Sequence, residues 1–97
     1  MTREKLPMQL EIISNLLNNK EVVKTLEDVE EKMTIPQLNA RIVKIMAIAM
    51  RTNPKDMTTL VSLHSGKSEK EVQELSDKEF ATILRESITS DVLGFFG

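Results

Sequence analysis

A chain of 97 residues accommodates one domain with a thin hydrophobic core, and we treat residues 1–97 as a single helical domain. It carries 13 Lys and Arg against 15 Asp and Glu, a formal net charge of −2 that is evenly mixed along the chain, which argues against a nucleic-acid-binding face. The chain has no cysteine, which excludes disulfides and thiolate metal sites, and no apolar run approaches the ~20 residues of a membrane span, so we expect a cytoplasmic protein.

The composition predicts an all-α fold. Gly and Pro number three each, too few for a turn-rich β domain but suited to several helices. Only three residues are aromatic, so Leu, Ile, Val and Met must form the core. We expect a compact bundle of five to six short helices with short connections.

Two amphipathic helices are predicted in the first third of the chain, where apolar residues recur at three- and four-residue steps. The first face comprises Leu6, Leu10, Ile13 and Leu17, widened by Ile12 and Leu16. The second comprises Val22, Leu26, Val29 and Met33. The acidic run of Glu27, Asp28, Glu30 and Glu31 is most simply a solvated helix face.

The next segment is predicted to form the most buried helix. Thr34 and Gln37 have the spacing of a capping box at its start. From Ile42 to Met50 only Lys44 is charged. One face comprises Ile35, Leu38, Ile42, Ile45, Met46 and Ala49, and Val43, Ala47 and Met50 extend the apolar surface round the cylinder. A helix that is apolar on most sides is expected at the centre of the bundle.

Three further helix starts follow. Asn53 is a candidate N-cap with Pro54 at the first helical position, and Gly66 is a natural stop for that helix. Two more starts have capping-box spacing: Ser68 with Glu71, and Ser76 with Glu79. The last of these predicts a helix with a one-sided apolar stripe.

Residues suited to catalysis or metal binding are scarce. His64 is the single histidine, and a metal site needs several converging ligands. With no Cys, Tyr or Trp, few groups remain for acid–base or covalent chemistry. We therefore expect no enzymatic activity, no metal and no cofactor, and we interpret His64 as a surface or partly buried residue.

Residues 68–88 also have the outline of a helix-turn-helix, two short helices joined tightly. The second helix would be the recognition helix. It carries Asp77, Glu79 and Glu86 against Lys78 and Arg85, which is a poor surface for a DNA groove. A small DNA-binding regulator is therefore an alternative, and helix packing the favoured interpretation.

The C-terminal stretch "DVLGFFG" places two adjacent aromatic residues next to the end of the chain. Residues 91–97 either fold back over the helices or form an exposed tail offered to a partner or to a second copy. Met50 belongs to a second candidate surface, because Met46, Met50 and Met57 would be neighbours if their helices pack antiparallel, although core filling is the favoured role for these methionines. The candidate partner-binding residues are Val92, Leu93, Phe95, Phe96 and Met50.

About two thirds of the chain, residues 34–97, resembles the short tail assembly chaperones of long-tailed (siphovirus-type) bacteriophages and their prophages. The resemblance lies in an order of features: an apolar helix ending in a polar turn, a helix that starts at "NP" and ends at "SGKS", a short helix followed by "FATIL", and an ending in "LGFF". Residues 1–33 add nothing to it.

The resemblance implies a non-enzymatic chaperone that binds the aggregation-prone tape measure protein, helps recruit tail-tube subunits, and leaves before the virion matures. It also implies that a programmed frameshift near the end of the first frame can add a second domain. The alternatives are the DNA-binding regulator and a structural subunit that homo-oligomerises through its C-terminal tail.

Overall fold

Helices are the only regular secondary structure in the part of the chain that the structure describes, which confirms the all-α class and the upper predicted number of helices. The computed structural model describes residues 5–29 and 32–95, without the side chain of Phe95. The α-helices are α1 (Leu6–Leu17), α2 (Lys20–Glu27), α3 (Ile35–Thr52), α4 (Pro54–Ser65), α5 (Glu69–Gln73) and α6 (Asp77–Ser87). A π-helical turn (Ile88–Val92) and a 3₁₀ turn (Leu93–Phe95) continue α6.

Capping boxes open two of these helices as predicted. The Gln37 backbone N–H donates to the Thr34 hydroxyl over 3.3 Å, and the Thr34 N–H donates to the Gln37 side chain over 3.0 Å. Ser68 and Glu71 make the same reciprocal pair at the start of α5, over 3.2 and 3.1 Å. Each box satisfies two backbone donors that a helix start leaves without a partner.

The other predicted caps differ in detail. At the start of α6 the Ser76 hydroxyl accepts from the Glu79 N–H, but the Glu79 carboxylate accepts from that hydroxyl and not from the Ser76 backbone. Asn53 occupies the N-cap position of α4 without a side-chain capping bond, because its Oδ1 accepts a hydrogen bond from the Thr52 hydroxyl over 2.6 Å and its amide N–H donates to the Asp56 carboxylate. Gly66 ends α4 in the left-handed region at φ 75°, as predicted.

The core lies around α4, which packs against α1, α3, α5 and α6. Met57, Leu60 and Val61 on α4 are completely buried. The prediction that α3 is the most buried helix was therefore wrong. It buries one side, while Ile35, Val43, Met50 and Ala47 on its other sides are exposed.

The side of α1 that faces the core differs from the predicted one. Leu10 and Leu17 are exposed, whereas Gln9 is buried beside Ile12 and Ile13. The helix is apolar over so much of its circumference that periodicity did not decide which side faces the core.

Helix α2 is also shorter than predicted, since Val29 and Met33 lie beyond its end at Glu27. Residues 30 and 31 of the acidic run lie outside the described residues.

The described part of the chain is compact. The Cα radius of gyration is 12.9 Å, against about 13 Å expected for a compact chain of this size. None of the helices in the described part of the chain combines the length and the apolar character needed to cross a bilayer.

Candidate functional site: an exposed apolar row and groove on α3

A row of exposed apolar side chains runs along α3. Ile35 is 76% exposed, Val43 56% and Met50 41%, and Met46, half-buried, shares their face. The row extends over about 22 Å of helix axis at 1.5 Å per residue, and its four members lie within roughly 80° of one another around that axis. We call these four residues the α3 row. Large apolar side chains gathered on one surface mark an interaction site more strongly than scattered ones do.

A groove between α3 and α6 continues the middle of this row. It has a volume of about 720 Å³ and is predominantly apolar. Val43 and Met46 line it from α3, and Ala81 lies on the opposite wall. The remaining lining residues come from α4 and from α6 with its π-helical turn: His64, Lys78, Thr82, Arg85, Glu86, Thr89 and Ser90. On the α6 wall the small side chains of Ala81 and Thr82 lie among the longer Lys78, Arg85 and Glu86.

Cations lie along both sides of the α3 row. Lys78 and Arg85 line the groove from α6, and the Arg85 guanidinium also donates to the Asn39 side chain on α3. On the side toward α2, Lys44 and Arg51 share a second depression with α2 residues. Within residues 5–29 and 32–95, neither Lys78 nor Arg85 has a carboxylate within ion-pair distance.

Arg51 is the exception among these cations. Its guanidinium donates to the Glu21 carboxylate of α2 over 2.6 Å, with both side chains about two-thirds exposed (67% and 62%). An exposed pair of this kind contributes little stability, on the order of 0–1 kcal/mol. It nevertheless reduces the positive charge at that end of the row.

His64 closes one end of the groove. Its Nδ1 lies 3.2 Å from the Asp91 carboxylate and its Nε2 lies 3.8 Å from the Glu86 carboxylate. Its side chain is 27% exposed, which agrees with the interpretation of His64 as a surface or partly buried residue. The histidine links the end of α4 to the π-helical turn. Among the described residues, no cluster of His, Asp or Glu side chains has the geometry to bind a metal ion.

The candidate partner-binding residues fall in three different environments. Met50 lies in the α3 row, exposed as that prediction requires. Val92 is completely buried in the same core cluster as Ile88, so its side chain is not exposed in this structure, and its assignment as a partner-binding residue stays a prediction. Phe96 and the side chain of Phe95 lie outside the described residues, so their assignment stays a prediction.

Leu93 is half-buried and lines a smaller apolar groove of about 480 Å³. The other residues of this groove come from the end of α1, from α2 and its following loop, and from α3: Leu17, Val23, Leu26, Glu27, Val29 and Leu38. The chain therefore carries a second apolar depression beside its C-terminal turns. Of the segment predicted as a tail, residues 91–95 continue α6, and Val92 and Leu93 pack in or against the core.

Sequence reasoning missed Val43 and Ile35 as surface residues, because their apolar character suggested the core. A signal was present: α3 is apolar over more of its circumference than a thin, single-domain core can cover. The exposed face of α6 carries the same mixture of carboxylates and cations that the sequence showed, so the helix-turn-helix alternative gains no support from the geometry.

A scan against models of known protein families and searches of curated proteins and of solved structures found no match to this chain.

Proposed function

We propose that this protein is a phage tail assembly chaperone that acts by binding a helical segment of the tape measure protein. The observation that carries the proposal is the α3 row with its adjoining groove, an elongated apolar surface on a small helical domain. An amphipathic helix laid in such a groove buries its apolar face, which is a recurring mode of peptide recognition. The resemblance of residues 34–97 to these chaperones supplies the identity of the partner.

The composition of the surface suits a transient helper. Methionine is flexible and polarisable, so Met46 and Met50 can adapt to different side chains along a long partner. The groove is open to solvent and is not an enclosed cavity, so a partner side chain bound in it would stay partly accessible to water. Binding of this kind shields apolar helices from aggregation and still allows release when tail-tube subunits arrive.

The experiment is co-expression of the chain with the tape measure protein encoded beside it, followed by affinity capture and gel filtration. The proposal predicts a tape measure gene immediately downstream, a co-eluting complex, and more tape measure protein in the soluble fraction than without the chaperone. A tape measure protein that elutes alone at micromolar concentrations, with unchanged solubility, would contradict it. Such a result would favour the structural-subunit alternative if the chain by itself elutes as an oligomer.

A further inference from the structure

We infer that the groove between α3 and α6 takes an amphipathic helix whose apolar face is edged by carboxylates. The inference rests on the proposed function in so far as it describes the same groove, and it adds the chemistry that the partner segment must have. Its starting point is the distribution of charge around the α3 row.

The charge at the rim of the groove is opposite to that of the whole chain. The chain has a formal net charge of −2, yet Lys78 and Arg85 line the α6 side and Lys44 lies beyond the row on the α2 side. Glu86 is the single carboxylate among the lining residues, and it faces His64 at the closed end. A partner helix lying along the row therefore meets positive charge on both of its flanks.

The apolar floor and charged rim of the groove predict a sequence pattern for a helical partner. Apolar residues at steps of three and four would face Val43, Met46 and Ala81. Partner residues that flank this stripe would come close to the cations of the groove. Asp or Glu at these positions would be attracted by them, and Lys or Arg would be repelled. Complementary charge of this kind determines which partner binds and in which register, more than it raises affinity.

The test uses two fluorescently labelled helical peptides with the same leucine stripe, one flanked by Glu and the other by Lys. The chain itself has no Trp or Tyr, so the label on the peptide supplies the signal in an anisotropy titration. We expect the full chain to bind the Glu peptide about tenfold more tightly than the Lys peptide, as two or three exposed charge contacts would give. At 1 M salt, where the Debye length is about 3 Å, the difference should shrink to about twofold or less.

Reversal of the two groove cations provides the decisive variant. Lys78→Glu combined with Arg85→Glu should invert the preference, so that the Lys peptide binds more tightly than the Glu peptide. Val43→Lys should weaken both peptides about tenfold or more, because it places a charge on the apolar floor of the groove. Met8→Lys is the matched control, an equally exposed apolar residue on α1, and should change neither affinity.

The outcomes separate this inference from the proposed function. Equal affinities for the two peptides, tighter binding of the Lys peptide by the unmodified chain, or no binding of either would overturn the inference. If the tape measure complex still forms in any of those cases, the proposed function stands and binding uses another surface or chemistry. If the Glu peptide binds as expected and no tape measure complex forms, the groove is an acidic-helix site with a different physiological partner.

Discussion

Val92 and Leu93 are adjacent in the chain but lie in different environments. Val92 is completely buried, whereas Leu93 lines the smaller apolar groove and is half-buried. Val92→Ala removes buried methyl groups and should lower the free energy of unfolding by about 2 kcal/mol. Leu93→Ala should cost roughly half as much or less, because part of its surface is already in contact with water. Urea denaturation followed by circular dichroism measures both values, and a Val92→Ala cost under about 0.5 kcal/mol would mean that the C-terminal turns are not part of the core.

The carboxylate of Glu71 gives the stability a defined pH dependence. The Ser68 backbone N–H donates to it and the Ser68 hydroxyl adds a second hydrogen bond, so the pKa of Glu71 is lowered from its usual range. A lowered pKa stabilises the folded state above the unfolded pKa of about 4.3, and this contribution is lost as the pH falls through the folded value.

Glu71→Gln keeps a side chain that can complete the capping box but removes the charge. The variant should therefore be less stable than the unmodified chain at pH 7, and the difference in stability should narrow toward pH 2.5 as the Glu71 carboxylate takes up a proton. Urea midpoints at the two pH values test this sign. A gap between the two proteins that widens on acidification would contradict it.

Gly66 determines where α4 ends. It has a φ of 75° in the left-handed region, and a Cβ built there would meet no atom within 4 Å, so backbone strain is the whole cost of a side chain. Gly66→Ala should destabilise the protein by about 1 kcal/mol. Gly94 is the matched control, since it is equally uncrowded and has no positive φ. Gly94→Ala should be neutral or slightly stabilising, and equal thermal midpoints for the two variants would contradict the assignment.

Helix starts and stops were predictable because each depends on a few neighbouring residues. Thr34 with Gln37, Ser68 with Glu71, and Gly66 were correctly assigned from the sequence, since the donors and acceptors involved are four residues apart or fewer. The orientation of the helices was less predictable, since it depends on which neighbours each helix finds. Gln9 is buried and Leu10 is exposed, the reverse of what their polarity suggests. The contacts that α1 makes with its neighbouring helices decide this, and the spacing of its apolar residues does not.

The candidate site was predictable only in part. Met50 was a candidate from the sequence, but the row to which it belongs exists because α3 buries one side and leaves Ile35 and Val43 outside. The groove also needs the wall that α6 supplies from more than 30 residues further along the chain. A surface assembled from two distant helices has no signature in either of them alone.

At the scale of the whole molecule, six large apolar side chains are exposed among the described residues, and three of them, Ile35, Val43 and Met50, lie on α3. The exposed members of the α3 row, Ile35, Val43 and Met50, lie outside the buried core cluster, so substitutions at these three positions should change binding far more than stability. Met50→Lys should therefore shift the thermal midpoint by less than about 3 °C, a change of under roughly 0.5 kcal/mol for a domain of this size. A larger loss of stability would show that the row supports the fold.

The affinity of the full chain for the tape measure protein, compared between Met50→Lys and Met8→Lys, tests the central claim most directly. Both variants place a lysine at an exposed methionine, 41% exposed in the α3 row and 50% on α1. A buried methionine contributes about 1.5–3 kcal/mol, so Met50→Lys should weaken the complex roughly tenfold to a hundredfold in isothermal titration calorimetry. Met8→Lys should leave the affinity unchanged. Equal affinities for the two variants would contradict the account, because binding would then not involve the α3 row.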